Sequence, residues 1–134
     1  TDWVEGGWTP DDTVAFARAI KALGCDFIDV SSGGMDPRQQ IRIGPGYHVP
    51  FAERVKRESG LPTIAVGLIT GARQAEDILT AGQADMIAIG RALMDDPHWA
   101  WHAAAELGED IAYPSQYVRA HPAGWPGAGR RSGA

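Results

Sequence analysis

Three short apolar runs, Asp26–Val30, Pro62–Val66 and Ala84–Ile89, alternate along the chain with segments of helical pattern. No other feature narrows the fold as much. Strand-length runs separated by helices lie parallel, because each helical crossover returns the chain to the end where the previous strand began, and such crossovers are right-handed. The order is α-β-α-β-α-β-α: an α/β chain with about three parallel strands and flanking helices. The runs are nearly continuous in apolar residues, so burial on both faces is expected. Their spacing is unequal, which argues against a short-period solenoid.

The helices carry their own punctuation. Pro10–Leu23 reads as the first, with Thr9 as cap, Pro10 at the first helical position, and Asp11 and Asp12 at the positive end of the dipole. Val14, Ala17, Ile20, Ala22 and Leu23 form the expected buried stripe, and Gly24 ends it. Val49–Ser59 is the second, with Phe51, Ala52 and Val55 on one face and Gly60 as terminator. Ala72–Ala81 is the third, ended by Gly82, and Pro97–Leu107 the fourth, with Asp96 as cap and Gly108 after it. Between the first strand and the second helix, Met35–Tyr47 is irregular and too long for a plain connector, which marks a candidate functional loop.

The ends of the second and third strands point to a ligand. Ala84-Asp-Met-Ile-Ala-Ile-Gly-Arg91 runs from an apolar strand straight into a glycine and an arginine, and Leu61-Pro-Thr-Ile-Ala-Val-Gly67 also ends in glycine. Glycine lets backbone amides approach an anion, and a guanidinium can fork onto a phosphate. Gly67 alone would equally suit a simple turn. At Arg91 a positive charge is mildly unfavourable where a helix begins, so a bound anion explains it better. A closed β/α barrel and an open doubly wound sheet share this alternation. Three features favour the barrel: no G-x-G-x-x-G follows the first strand, the glycines end the last two strands, and the short turn Arg91–Met94 precedes the last helix. A barrel needs eight strands in roughly 250 residues. The expectation is therefore the C-terminal portion of a (β/α)8 TIM barrel, and a chain of 134 residues that opens on Thr1 rather than Met reads as a fragment.

Composition removes several classes. A net charge of −5 gives no basic surface for nucleic acid, the one basic cluster being Arg130-Arg131 in a Gly-rich tail expected to be flexible. No apolar run reaches the roughly 20 residues that span a membrane, and no leader pattern opens the chain. The single Cys25 leads an apolar strand, where a buried, inert thiol is expected; it cannot form an internal disulfide, which suits a reducing, cytoplasmic setting. His48, His98, His102 and His121 show no metal-binding spacing; His98 and His102, four apart beside Trp99 and Trp101, suit packing or surface roles.

Six segments in order bring a family into view: Asp2–Trp8, Asp29–Gly34, Gly44–Tyr47 with Val49–Glu53, Ala65–Thr70, Ala84–Arg91 with Asp96-Pro97, and Gln116–Arg119. Together they resemble the old yellow enzyme family, in its bacterial branch of NADPH dehydrogenases and xenobiotic reductases. The resemblance implies an FMN-dependent (β/α)8 barrel that takes hydride from NADPH or NADH and reduces activated alkenes such as enones. It implies a partial barrel domain over residues 1–119 and a flexible tail over 120–134. By position, Gly90 and Arg91 are implied to hold the FMN phosphate, Gly67 and Leu68 to bring backbone to it, and Ser32 to lie beside the cofactor, though a serine there also satisfies a turn amide. Arg119, on the Pro-flanked segment Tyr117-Val-Arg119, is implied to reach a neighbouring subunit's active site on an extended arm, a solvated tail being the other reading. The chain runs on past it through Ala120–Trp125, where the family often ends. The family's substrate-anchoring histidines and proton-donating tyrosine belong to earlier strands, so no catalytic residue and no metal ligand are expected here, and Tyr47, Tyr113 and Tyr117 are not assigned that role. A homo-oligomer acting on a small molecule follows, with neither nucleic acid nor membrane as partner. Two other readings stay open: a non-catalytic phosphate- or nucleotide-binding α/β module, and another FMN or sugar-phosphate barrel.

Overall fold

A computed structural model describes residues 1–128. The tail pair Arg130-Arg131 lies outside the described residues. The elements are α1 (Pro10–Ala22), β1 (Ile28–Val30), α2 (Val49–Ser59), β2 (Thr63–Ala65), α3 (Ala72–Thr80), β3 (Met86–Ile87), α4 (Arg91–Asp95) and α5 (Trp99–Leu107), followed by a 3-10 helix over Ser115–Ala120. The three strands form one parallel sheet in the order β1-β2-β3. The α/β alternation and the parallel pairing are as the sequence predicts; a closed barrel is not seen in these three strands.

Local chemistry explains the helix boundaries. At α1 the Asp12 amide donates to Thr9 Oγ1 at 3.2 Å while the Thr9 amide donates to Asp12 Oδ2 at 2.9 Å, a reciprocal capping box. Gly60 and Gly108 close α2 and α5 in the left-handed conformation. Two expectations shift. Helix α5 starts at Trp99 rather than Pro97, with His98 at the N-cap position; the Asp96 carboxylate instead accepts from the His98 amide at 3.1 Å and pairs with His102 Nδ1 at 2.6 Å. The stripe on α1 holds at Val14, Ala17 and the partly buried Ile20, while Ala22 is exposed and Leu23, past the end of the helix, is 87% exposed.

Register places the core. Ile28 pairs with Thr63, Val30 with Ala65, and Ala65 with Ile87, so these residues share one face of the pleat. Val30, Thr63 and Ala65 are buried on that face, and Val30 and Ala65 belong to one cluster with Ala17 of α1, Val55 of α2 and Ile78 of α3. The opposite face carries Asp29, Ile64 and Met86, of which Asp29 and Met86 are exposed. The expected burial of the strands on both faces is thus corrected: helices cover one face only. Cys25 is also exposed rather than buried, because the chain enters β1 at Ile28 and leaves residues 25–27 at the surface.

The C-terminal segment is not the extended arm expected. Residues Ser115–Ala120 coil into a 3-10 helix that an aromatic stack holds near α5. Trp101 stacks on Tyr113 at a centroid distance of 4.1 Å and meets Tyr117 edge-on at 5.3 Å, while His121 Nε2 pairs with Asp110 Oδ1 at 2.8 Å.

Candidate functional site

Parallel strands deliver their carboxyl ends to the same rim of the sheet, and there the connecting loops converge. A cleft of about 200 Å³ opens at this rim. It is lined by Gly67, Leu68 and Thr70 after β2, by Gly90 and Arg91 after β3, and by Ser31, Tyr47 and His48 from the β1–α2 connection. Four of the sequence-predicted residues, Gly67, Leu68, Gly90 and Arg91, therefore meet in one place. Ser32 does not line the cleft: its hydroxyl accepts from Trp3 Nε1 at 2.7 Å, and Ser31 faces the cleft instead. Arg119 is exposed and lies outside this lining.

The loop after β2 is shaped by its backbone. Gly67 has φ +108° and Leu68 φ +52°, the second in a region that leucine seldom enters. Gln74 of α3 holds this turn from both sides, donating from Nε2 to the Leu68 carbonyl at 3.2 Å and accepting the Thr70 amide through Oε1 at 3.1 Å. The Gly67 carbonyl accepts from the Gly46 amide at 2.8 Å. That bond docks the end of the long β1–α2 loop onto the end of β2, and the next two residues land in the cleft. The Tyr47 and His48 rings lie 3.8 Å apart between centroids. A Cβ at Gly67 would come within 3.0 Å of His48 Nδ1 and 3.1 Å of Tyr47 Cε1. Glycine is required here by its positive φ and by a packed aromatic pair.

Gly90 is different. A Cβ there would meet nothing within 4 Å, so the backbone borders open space. Arg91 follows, exposed and with no acidic partner among the described residues. Helix α4 has only five residues, so its dipole is small and the guanidinium carries the positive potential. None of the lining residues is acidic. The cleft suits an anion.

Sequence reasoning misses His48 and Tyr47. The one available signal is Gly44-Pro-Gly46, a turn tight enough to aim whatever follows it. His48 is only 5% exposed, and neither ring nitrogen has a hydrogen-bond partner. Burial holds its imidazole below the ordinary pKa, against the opposing pull of Asp29 and of a Ser32 backbone group that lies outside hydrogen-bond geometry.

Fold and cleft together define an α/β protein whose accessible chemistry sits at the carboxyl rim of a parallel sheet. The chain belongs to the NADH:flavin oxidoreductase / NADH oxidase family, whose profile matches residues 1–110. Over 125 residues it is 46% identical to an NADPH dehydrogenase of Geobacillus thermodenitrificans, covering 93% of this chain and 35% of that protein. Over 120 residues it is 47% identical to an NADPH dehydrogenase of Listeria innocua, covering 90% and 35%. The chain thus spans about a third of the length of the curated relatives it matches. Membership bears out the resemblance to the old yellow enzymes. The family match stops at residue 110, short of Arg119. Among the described residues, no helix is long and apolar enough to cross a membrane.

Proposed function

We propose that this chain supplies the FMN-phosphate cradle of an NAD(P)H-dependent flavin oxidoreductase built on a (β/α)8 barrel, of which its three strands form the C-terminal part. The observation that carries this reading is the convergence of Gly67 and Gly90 with an Arg91 that has no ion-pair partner among the described residues, on one cleft lined by no carboxylate. Size supports it. At about 200 Å³ the cleft is smaller than the roughly 300–1,000 Å³ of a whole-ligand pocket, and suits a headgroup better than an entire flavin.

In this reading Arg91 forks onto two phosphate oxygens and the open backbone at Gly90 lets the group come close. Leu68 is held at positive φ, so the backbone of the β2–α3 turn faces the same space. Ser31, rather than Ser32, is the serine that lines the site. When bound, FMN supplies the redox chemistry, passing hydride from NADPH or NADH to an activated alkene. The protein's part here is binding and orientation. Arg119, exposed and absent from this cleft, serves a neighbouring subunit's site in the same reading.

The test is flavin affinity in the purified protein. Arg91→Ala is expected to weaken FMN binding by about ten- to a hundredfold, the effect of one lost charged hydrogen-bonding group, and to leave riboflavin binding unchanged. Equal FMN affinity in variant and parent would defeat the reading. Yellow protein that reduces an enone with NADPH would separate the enzyme from a phosphate-binding module without turnover.

A further inference from the structure

Leu68 stands in a conformation that leucine disfavours. Its φ of +52° lies in the left-handed region, where a Cβ crowds the backbone. Such strain persists only where the surroundings impose it. Among the described residues, the backbone of 68–70 takes its hydrogen bonds from side chains. The Trp99 indole donates to the Thr70 carbonyl at 3.2 Å. Gln74 supplies the others, its Nε2 donating to the Leu68 carbonyl at 3.2 Å and its Oε1 accepting the Thr70 amide at 3.1 Å. A glutamine at the third position of a helix ordinarily reaches back to the amide of its own N-cap. Here the N-cap is Gly71, and Gln74 passes it to grip the residues that precede it. These bonds serve the turn rather than the start of α3. Gln74 is not part of the cleft lining, whereas Gly67, Leu68, Ile69 and Thr70 all are.

We propose that Gln74 is a positioning residue for the anion site: its two hydrogen bonds keep Leu68 at positive φ and so hold residues 67–70 at the wall of the cleft that takes a phosphate monoester beside Gly90 and Arg91. The proposal rests on the phosphate reading of the cleft and adds a part that the Gly-Arg motif does not contain. Gln74 acts on the anion only through the turn, so its effect depends on the strain at residue 68. Glycine enters positive φ freely, and with glycine at 68 the clamp has less to hold. Linkage also makes the effect mutual. A clamped turn that favours the anion is itself favoured by the bound anion, by the same factor.

A phosphate monoester can reach the cleft as the flavin headgroup, and the same oxygens are offered by free phosphate, so three probes are used: inorganic phosphate, FMN and riboflavin. Gln74→Met keeps the length of the side chain and removes both hydrogen bonds. It is expected to weaken FMN and inorganic phosphate about tenfold and to leave riboflavin unaffected. In a Leu68→Gly background the same substitution is expected to cost only about twofold, the coupling of a clamp to the strain it holds. In the unmutated protein, exchange of the Thr70 amide with solvent should slow with FMN or inorganic phosphate bound, and not with riboflavin. That measurement tests the proposal even where Gln74→Met does not fold. If Arg91→Ala weakens FMN binding while Gln74→Met does not, or if FMN saturates the protein with Thr70 exchange unaltered, the inference falls and the phosphate reading stands. A Gln74→Met loss of equal size with leucine or glycine at 68, or an equal loss with riboflavin, marks Gln74 as a support of the fold at large and overturns its positioning role. If Arg91→Ala leaves FMN binding unchanged, or no probe binds, both fall.

Discussion

Two glycines on the rim look alike in the sequence and differ in the structure. Gly67 sits at φ +108° with Tyr47 and His48 packed over it, so Gly67→Ala meets both backbone strain and a collision with two rings. A loss of about 1–3 kcal/mol is expected, read as a lowered melting temperature. Gly90, at φ −95° with open space where a methyl group would stand, tolerates Gly90→Ala in stability, but the methyl group then borders the cleft and FMN affinity should drop several-fold. Equal behaviour of the two variants in melting and binding would refute this distinction. The glycines and Arg91 are legible because strand-glycine-arginine is a local pattern. His48 is not, because its importance comes from a contact with Gly67, nineteen residues away (67 − 48), made only when the long loop docks. Ser32 reads from the sequence as a cofactor neighbour, yet its hydroxyl holds the Trp3 indole; nothing local to the Ser-Ser pair says which of the two faces the cleft.

Helices are easier to read than strands. The sequence limits of α2 coincide with those observed, because Pro50 and Gly60 mark both ends chemically. The apolar runs overstate all three strands, because the ladders span only two or three residue pairs and, among the described residues, β1 and β3 each pair on one side only. Part of what fixes β3 lies beside it in Asp85. Its Oδ2 accepts the Thr63 amide at 2.9 Å, its Oδ1 pairs with Lys56 of α2 at 3.0 Å, and its own amide donates to the Thr63 carbonyl at 2.9 Å. Burial raises the carboxyl pKa, but the Thr63 amide and Lys56 outweigh it and the net shift is downward. The sign follows from linkage. A depressed folded-state pKa gives stability that is complete above the ordinary carboxylate range and is lost as pH falls through the folded value. The side chain is 37% exposed, so solvent screening limits the effect, and Asp85→Asn should cost about 1 kcal/mol at neutral pH and less in acid. Thermal melts of parent and variant across the acid range check this; a gap that widens on acidification would reverse the assignment.

At the scale of the whole molecule the sheet is unfinished. Among the described residues β1 and β3 are both edges, and the face bearing Asp29 and Met86 has no helix over it. Unpaired edges and an uncovered face favour association. The chain is therefore expected to self-associate. Small-angle scattering should show a species larger than a monomer. A monodisperse monomer would count against the assembly. Since the helix-packed layer and the loop rim involve different residues of the same strands, the rim can change its lettering with little disturbance to the layer beneath, so new ligand preferences can evolve on an unchanged foundation.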